Sequence, residues 1–281
     1  MLKAENINDR IHFTQYGSHG FFSICTFILV SILKFKETSD KLPVPFNYLQ
    51  LFWFYQPSKE FTVDIMKECF EEKCVADMRM KETPRLIMGS SGQKYNKLKL
   101  NLLNRLVSAY FTPSTNIKEI INTIEKKYLI DYENTCTIYY RGTDKKVETG
   151  LAGYDEFFNK AEEILQKNPN IRFFLQTDEI EFATAFQEKF TNNFSIDGLT
   201  MVHSNNSDGP HGSLPRPKRV AHAVLFLAAV IIMSKTKHVI TSSGNAALWI
   251  VLYRGNVRNV QQYLHSIHRN TKTTRCVYGW I

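Results

Sequence analysis

The chain has 281 residues, 43% of them hydrophobic and 22% charged, with a formal net charge of +8. That length holds one large domain or two modest ones, and that balance belongs to a folded globular protein. The lysines and arginines are spread along the chain and mixed with acids, with no basic arm, RGG tract or zinc-finger spacing. Nucleic acid is therefore a poor fit as partner, whereas a basic balance suits a protein that handles anionic nucleotides. The five cysteines, Cys25, Cys69, Cys74, Cys136 and Cys276, contain no C-x-x-C pair. They read as mostly reduced and buried, with Cys69 and Cys74 able to bridge only in a secreted chain.

In chain order, Arg10 to Phe13 is a strand candidate, followed by Gln15-Tyr16-Gly17-Ser18-His19-Gly20 and the apolar run Phe21 to Phe35. Strand, glycine-bearing turn and buried helix make the first step of a βαβ unit. Gly17 and Gly20 would let backbone N–H groups approach a ligand at the helix start. Phe21 to Leu33 falls short of the ~20 residues that a membrane span needs. It also follows a glycine turn rather than a basic start, so it reads as a buried helix, not as a span or a leader. With neither leader nor anchor recognisable, the chain reads as cytoplasmic; a lumenal enzyme with its anchor trimmed away would read the same.

Leu42 to Tyr55 reads as strand and loop, and 59–83 as a charged, helix-prone stretch. Ser90-Ser91-Gly92 punctuates the chain before a helix over Lys97 to Ala109, with a stripe of Leu98, Leu100, Leu102, Leu103 and Leu106. Thr112 to Thr115 reads as loop and cap, and Asn116 to Lys127 as an amphipathic helix.

From Cys136 the pattern is regular. A strand over 136–140 ends in Arg141-Gly142-Thr143-Asp144-Lys145, then comes a helix over Gly153 to Lys167. A strand over Ile171 to Gln176 ends in Thr177-Asp178-Glu179, and a helix follows over 180–190. A further strand is expected near Ser195 to Val202. The Gly/Pro/Ser-rich loop 204–217 is placed to lie over a site. A strongly apolar helix over 218–234 leads to a strand over His238 to Ile240, and Thr241-Ser242-Ser243-Gly244-Asn245 opens a helix over Ala246 to Tyr253. Repeated strand, polar turn and helix predict a parallel, doubly wound α/β sheet.

In such a sheet the three polar strand ends share one edge, where ligands bind. Arg141 offers a guanidinium fork to phosphate oxygens. Ser242, Ser243, Gly244 and Asn245 stand at a helix start whose free N–H groups favour an anion, although Ser243 or Asn245 would serve equally as a simple N-cap. Asp178 is placed either to bond a ribose or to cap the next helix.

Tyr140-Arg141-Gly142-Thr143-Asp144-Lys145 resembles the His-x-Arg-Arg-(Gly/Thr)-Asp-Lys motif of the fucosyltransferase superfamily. Phe173 to Glu179 is similar to that family's apolar strand ending in Thr-Asp, and His238 to Ser243 to its later strand ending in Ser-Ser. The resemblance covers about residues 130–260. It implies an α/β, GT-B architecture of two Rossmann-like domains facing across a cleft. Residues 1–128 would form the acceptor side and 129–281 the donor side, with 265–281 crossing back onto the first.

The implied activity is an inverting, metal-independent transfer of fucose from GDP-fucose to a glycan or protein hydroxyl, and no Asp-x-Asp motif is present to hold a cation. Two alternatives are transfer from another sugar nucleotide and an inactive GT-B module that binds a glycan or protein. By the same resemblance Arg141 stabilises the departing phosphate, Asp144 and Lys145 match the motif, and Glu148, with a one-residue deletion allowed, falls where the α-1,6 enzymes place a proposed catalytic base; a solvated carboxylate is the alternative for Glu148. Departures are Tyr139 for the motif's His, Gly142 for its second Arg, and Ala229 near the position of a guanine-reading Asp. His222 or His211 could take over that last role, or His222 could be structural.

Overall fold

The structure, a computed structural model, describes residues 3–7, 10–13, 19–43, 52–56, 63–71, 78–87, 93–206, 209–264, 266–267 and 279–280. Gly17, the Ser90-Ser91-Gly92 turn, Cys74 and Cys276 lie outside the described residues. Two short strands, β1 (Lys3–Ile7) and β2 (Arg10–Phe13), pair antiparallel. The run after His19-Gly20 forms α1 (Phe21–Ser39), buried on nearly every face. Of the helix-prone stretch 59–83, only α2 (Ile65–Cys69) is helical among the described residues. Asp64 caps its start, accepting from the Met66 and Lys67 N–H groups, and extended Phe70, bridged to Pro113, ends it. Next come α3 (Leu100–Tyr110) and α4 (Thr115–Tyr128), the latter capped by Ser114 Oγ accepting from Ile117 N–H.

The main sheet begins at β3 (Thr135–Tyr140), a run of threonine, cysteine, isoleucine and tyrosine buried along its whole length, as a strand covered on both faces requires. After it come α5 (Lys145–Glu148), β4 (Thr149–Gly150), α6 (Tyr154–Lys167), β5 (Arg172–Thr177), α7 (Ile180–Lys189) and β6 (Asn193–Phe194). The strand expected near Ser195 to Val202 is thus confined to Asn193–Phe194. Gly198 has a φ of 86°, which breaks extended backbone, and Val202 makes only an isolated bridge to Glu179. Loop 204–217 contains the short helix α8 (Gly209–Ser213), and then come α9 (Arg216–Lys235), β7 (His238–Ser242), α10 (Asn245–Arg254) and β8 (Val260–Tyr263). Finally β9 (Ser266–Ile267) pairs with β4, and β10 (Gly279–Trp280) pairs parallel with β1.

The five-stranded sheet runs β6-β5-β3-β7-β8 and all its pairings are parallel. This is the order of a Rossmann-like α/β sheet. The chain starts at the centre, moves out through β5 and β6, then returns to the other side of β3. The direction reverses between β3 and β7, and ligands bind outside the carboxyl ends of strands at such a switch point.

One face, carrying Ile138, Tyr140, Phe173 and Leu175, packs on α6 and α7 through Phe157, Phe158, Phe182 and Phe186. The other, carrying Tyr139, Phe174 and Val239, packs on α9 and α10, and the same apolar cluster continues without a break into α1, α2, α3 and α4. Among the described residues no second parallel sheet precedes Thr135, and the core does not divide at residue 128. Helix α9 is long and apolar enough to cross a membrane by length and composition, and here it is a core helix held between the sheet and α4.

The seam between the early helices and α10 is centred on Trp249. Fully buried, it donates from Nε1 to Thr26 Oγ1 at 3.0 Å and meets Phe111 edge-on at 4.7 Å. Trp249→Ala should cost about 3–5 kcal/mol, the usual cost of emptying so large a core site. Denaturant unfolding should still show one transition, moved to lower midpoint. A second transition left unmoved would contradict a core shared by the two halves.

Candidate functional site

The candidate site is the carboxyl edge of β3, β5 and β7. Tyr140 pairs with Thr177 and Tyr139 with Thr241, so the segments beginning at Arg141, Asp178 and Ser243 leave the sheet side by side, about 5 Å apart per strand. Strand alternation sends Tyr139, Arg141, Gln176 and Asp178 towards the α9 face, where they line a small cavity with Thr200, Pro210, His222 and Phe226. Arg141, Asp178 and His222, widely separated in sequence, are thereby brought together.

Asp178 neither caps α7 nor faces open solvent. Its Oδ1 accepts from Gly142 N–H at 2.8 Å and its Oδ2 from the Thr143 hydroxyl at 2.7 Å. A buried carboxylate must find such donors, and here they hold the turn after β3 against the end of β5. Arg141 Nη2 donates to both Asp144 oxygens, at 2.9 and 2.8 Å. Burial opposes the charge on Arg141, yet Asp144 and Asp178 outweigh it and hold the guanidinium above its ordinary value. Its Nε is buried with no partner, an omission that typically costs about 1–3 kcal/mol.

Gly142, where the resembling motif has a second arginine, is buried against Glu179. An ideal Cβ there would stand 1.9 Å from Glu179 Oε2 and 2.7 Å from the Tyr140 ring. Glu179 in turn accepts from the Tyr154 hydroxyl. Burial, reinforced by the charge of Glu181, raises its pKa above the ordinary carboxyl value. Glu179 and Tyr154 are the partners that the motif reading missed. The available signal was a second carboxylate directly after Asp178.

At the end of β7, Ser243 turns away from the cavity, with its N–H and Oγ both donating to the Tyr263 carbonyl at 2.9 and 3.2 Å. The N-cap of α10 is Gly244, with no side-chain cap and a φ of 143°, so the simple-cap role offered for Ser243 or Asn245 is not the one observed. Ser242 Oγ and Asn245 Oδ1 are buried without partners.

Lys145 begins α5 and Glu148 ends it; the Glu148 side chain lies outside the described residues, as does that of His211 on α8. Ala229 is fully buried in the core. His222 Nε2 accepts from Thr200 N–H at 3.4 Å, and burial lowers its pKa to about 4. Among the described residues no group of three or more His, Cys, Asp or Glu side chains is placed to hold a metal ion.

Residues 204–206 and α8 lie at this edge. Lys146 Nζ donates to the Ser204 carbonyl, and Ser204 N–H to Glu181 Oε2 at 2.8 Å. An ideal Cβ on Gly209 would lie 3.4 Å from the Asp144 carboxyl carbon, so the start of α8 stands beside Asp144, and Pro210 lines the cavity with Arg141. That cavity is about 20 Å³, room for one water.

Among solved structures, the chain is similar to the NodZ α-1,6-fucosyltransferase co-crystallised with GDP, over 53% of this chain and 44% of that one, at 12% identity and a TM-score of 0.38. It is also similar to the fucosyltransferase NodZ from Bradyrhizobium, over 48% and 40%, at 12% identity and 0.34. A third likeness is to Arabidopsis thaliana FUT1 in complex with GDP, over 55% and 34%, at 11% identity and 0.35. The chain thus spans less than half the length of these proteins. No protein-family profile and no curated protein matches it.

Two variants test the geometry. Gly142→Ala should destabilise the fold by about 1–3 kcal/mol through overpacking, and Glu179→Ala in the same chain should recover part of that loss. Strictly additive effects in chemical denaturation would show that Glu179 is not the obstacle. The lowered pKa of His222 means that its stability contribution is full above its ordinary value of 6.5 and is lost as pH falls towards about 4. His222→Gln, which keeps an acceptor for Thr200 N–H, should therefore lose less stability between neutral pH and pH 4 than the parent. Parallel acid limbs would contradict this.

Proposed function

We infer that the chain binds the diphosphate of a nucleotide sugar at the carboxyl edge of β3 and β7 and transfers the sugar to a hydroxyl acceptor. The observation that carries this reading is Arg141, a largely buried guanidinium at the end of the central strand with an unpartnered Nε, beside the topological switch point. A fixed cation there stabilises charge as it builds on a departing diphosphate. The start of α10 adds free N–H groups and the positive end of its dipole on the far side of the switch point. Asp178 holds the turn, so Arg141 is positioned before any ligand arrives.

The order of the three strand-end motifs supports a fucosyltransferase, with GDP-fucose as first candidate donor, a glycan or protein as acceptor, and an inverting, metal-independent mechanism. NodZ structures have been determined with GDP and soaked with GDP-fucose. In this reading residues 129–281 carry the donor site and 1–128 the acceptor side of a GT-B arrangement, built by helices that share the α9–α10 core. Glu148, on α5 close to Arg141 in sequence, is the proposed base, and Lys145 a further cation for the donor. Ala229, sealed in the core, favours a second reading in which the base is not guanine and another sugar nucleotide is the donor.

Thermal-shift titration with nucleoside diphosphates separates these readings. Preferential stabilisation by GDP supports the first and by UDP the second; no response to any of them contradicts a nucleotide-sugar site and leaves a module that binds a glycan or protein without a donor. Arg141→Lys keeps the charge but loses the planar fork, and should lower transfer about 100-fold or more with the fold intact. Unchanged transfer would remove Arg141 from the mechanism.

A further inference from the structure

Arg141 is not waiting with an open hand. Its Nη2 is engaged by both oxygens of Asp144, the residue three places along the same turn. Gly209 of α8 stands next to that carboxylate, close enough for an added Cβ to meet it, and Pro210 lines the cavity with the guanidinium. The remaining space of about 20 Å³ admits a water but no diphosphate, since nucleotide-sized ligands need pockets of roughly 300 Å³ or more.

A carboxylate is the natural mimic of a phosphate edge, because both present two anionic oxygens to a guanidinium. The pair is not an optimal structural salt bridge. One terminal nitrogen makes both contacts, while Nε, the other donor a fork would use, has no partner. A guanidinium built only to hold Asp144 would gain by using both nitrogens. Asp144 thus fills the fork incompletely, as a competitor that a stronger anion can replace.

We propose that Asp144 is an internal stand-in for the ligand's phosphate, holding Arg141 and the covering α8 in a closed resting state that the diphosphate opens by displacing the carboxylate. This rests on the nucleotide-sugar reading of the same site. It makes binding an exchange: the apparent affinity is the intrinsic affinity reduced by the fraction of chains in which Arg141 is released. It also accounts for a cation and its cover being built together, since Asp144 touches both.

The test uses the full chain and GDP as probe, in titration calorimetry. Asp144→Asn keeps the side chain's size and removes the competing charge, and should bind GDP about tenfold more tightly or better, because the resting state no longer opposes the ligand. In the parent chain, saturating GDP should raise amide hydrogen exchange across 209–213, where α8 loses its contact with Asp144. That second measurement needs no variant, so it decides the matter if Asp144→Asn folds poorly. GDP binding by the parent with equal or weaker binding by Asp144→Asn, or with unchanged exchange at 209–213, would overturn the stand-in. It would make Asp144 a positioning residue and leave the nucleotide site standing. Binding by neither chain would overturn both.

Discussion

One buried carboxylate organises the edge of the sheet. Asp178 leaves β5 pointing towards the α9 face and takes the Gly142 N–H and the Thr143 hydroxyl from the turn that follows β3. Because β3 is the central strand and chain direction reverses beside it, this bond pair fixes the first residues of the switch point. Arg141 lies directly before the fixed residues, and Asp178 adds to the field that keeps it charged. Across the turn, Glu179 presses on Gly142 from the opposite face. Two successive carboxylates thus grip one turn from both sides of the sheet.

That grip explains what the motif comparison treats as a loss. A second arginine at position 142 would have to stand where Glu179 and the Tyr140 ring already are. Glycine there is a packing requirement of this chain, and Arg141 is the one arginine of the motif pair that it keeps. In the proposed nucleotide-sugar reading the smaller charge is offset by the partly unsatisfied guanidinium, by Lys145 and by the start of α10, where Gly244 provides no side-chain cap.

The parts of the fold set by local pattern were legible in the sequence. Strands β3, β5 and β7 are β-branched and aromatic runs that stop at polar residues, and helices α1, α4, α6, α9 and α10 follow unbroken apolar or amphipathic periods. What failed were features that depend on distant partners. The helix-prone stretch 59–83 is helical only at Ile65–Cys69 among the described residues, because Phe70 is drawn into a bridge with Pro113. The strand expected at Ser195 to Val202 yields to Gly198. In the site, Arg141, Asp178 and His222 were found as residues, but their relations were not. Asp178 holding Gly142, Glu179 filling its space, and Asp144 occupying Arg141 are contacts between segments, with no trace in local spacing. The packing of α4 on α9 and of α3 on α10 is likewise a relation between distant segments.

The central claim is that Arg141 is the anchor for a ligand diphosphate at the switch point between β3 and β7. Its most direct test is a crystal structure of the chain with GDP bound. The account predicts the β-phosphate within hydrogen-bonding distance of the Arg141 guanidinium, Asp144 turned off it, and the start of α10 facing the phosphates. A diphosphate seated elsewhere, with Arg141 still bound to Asp144, would contradict it.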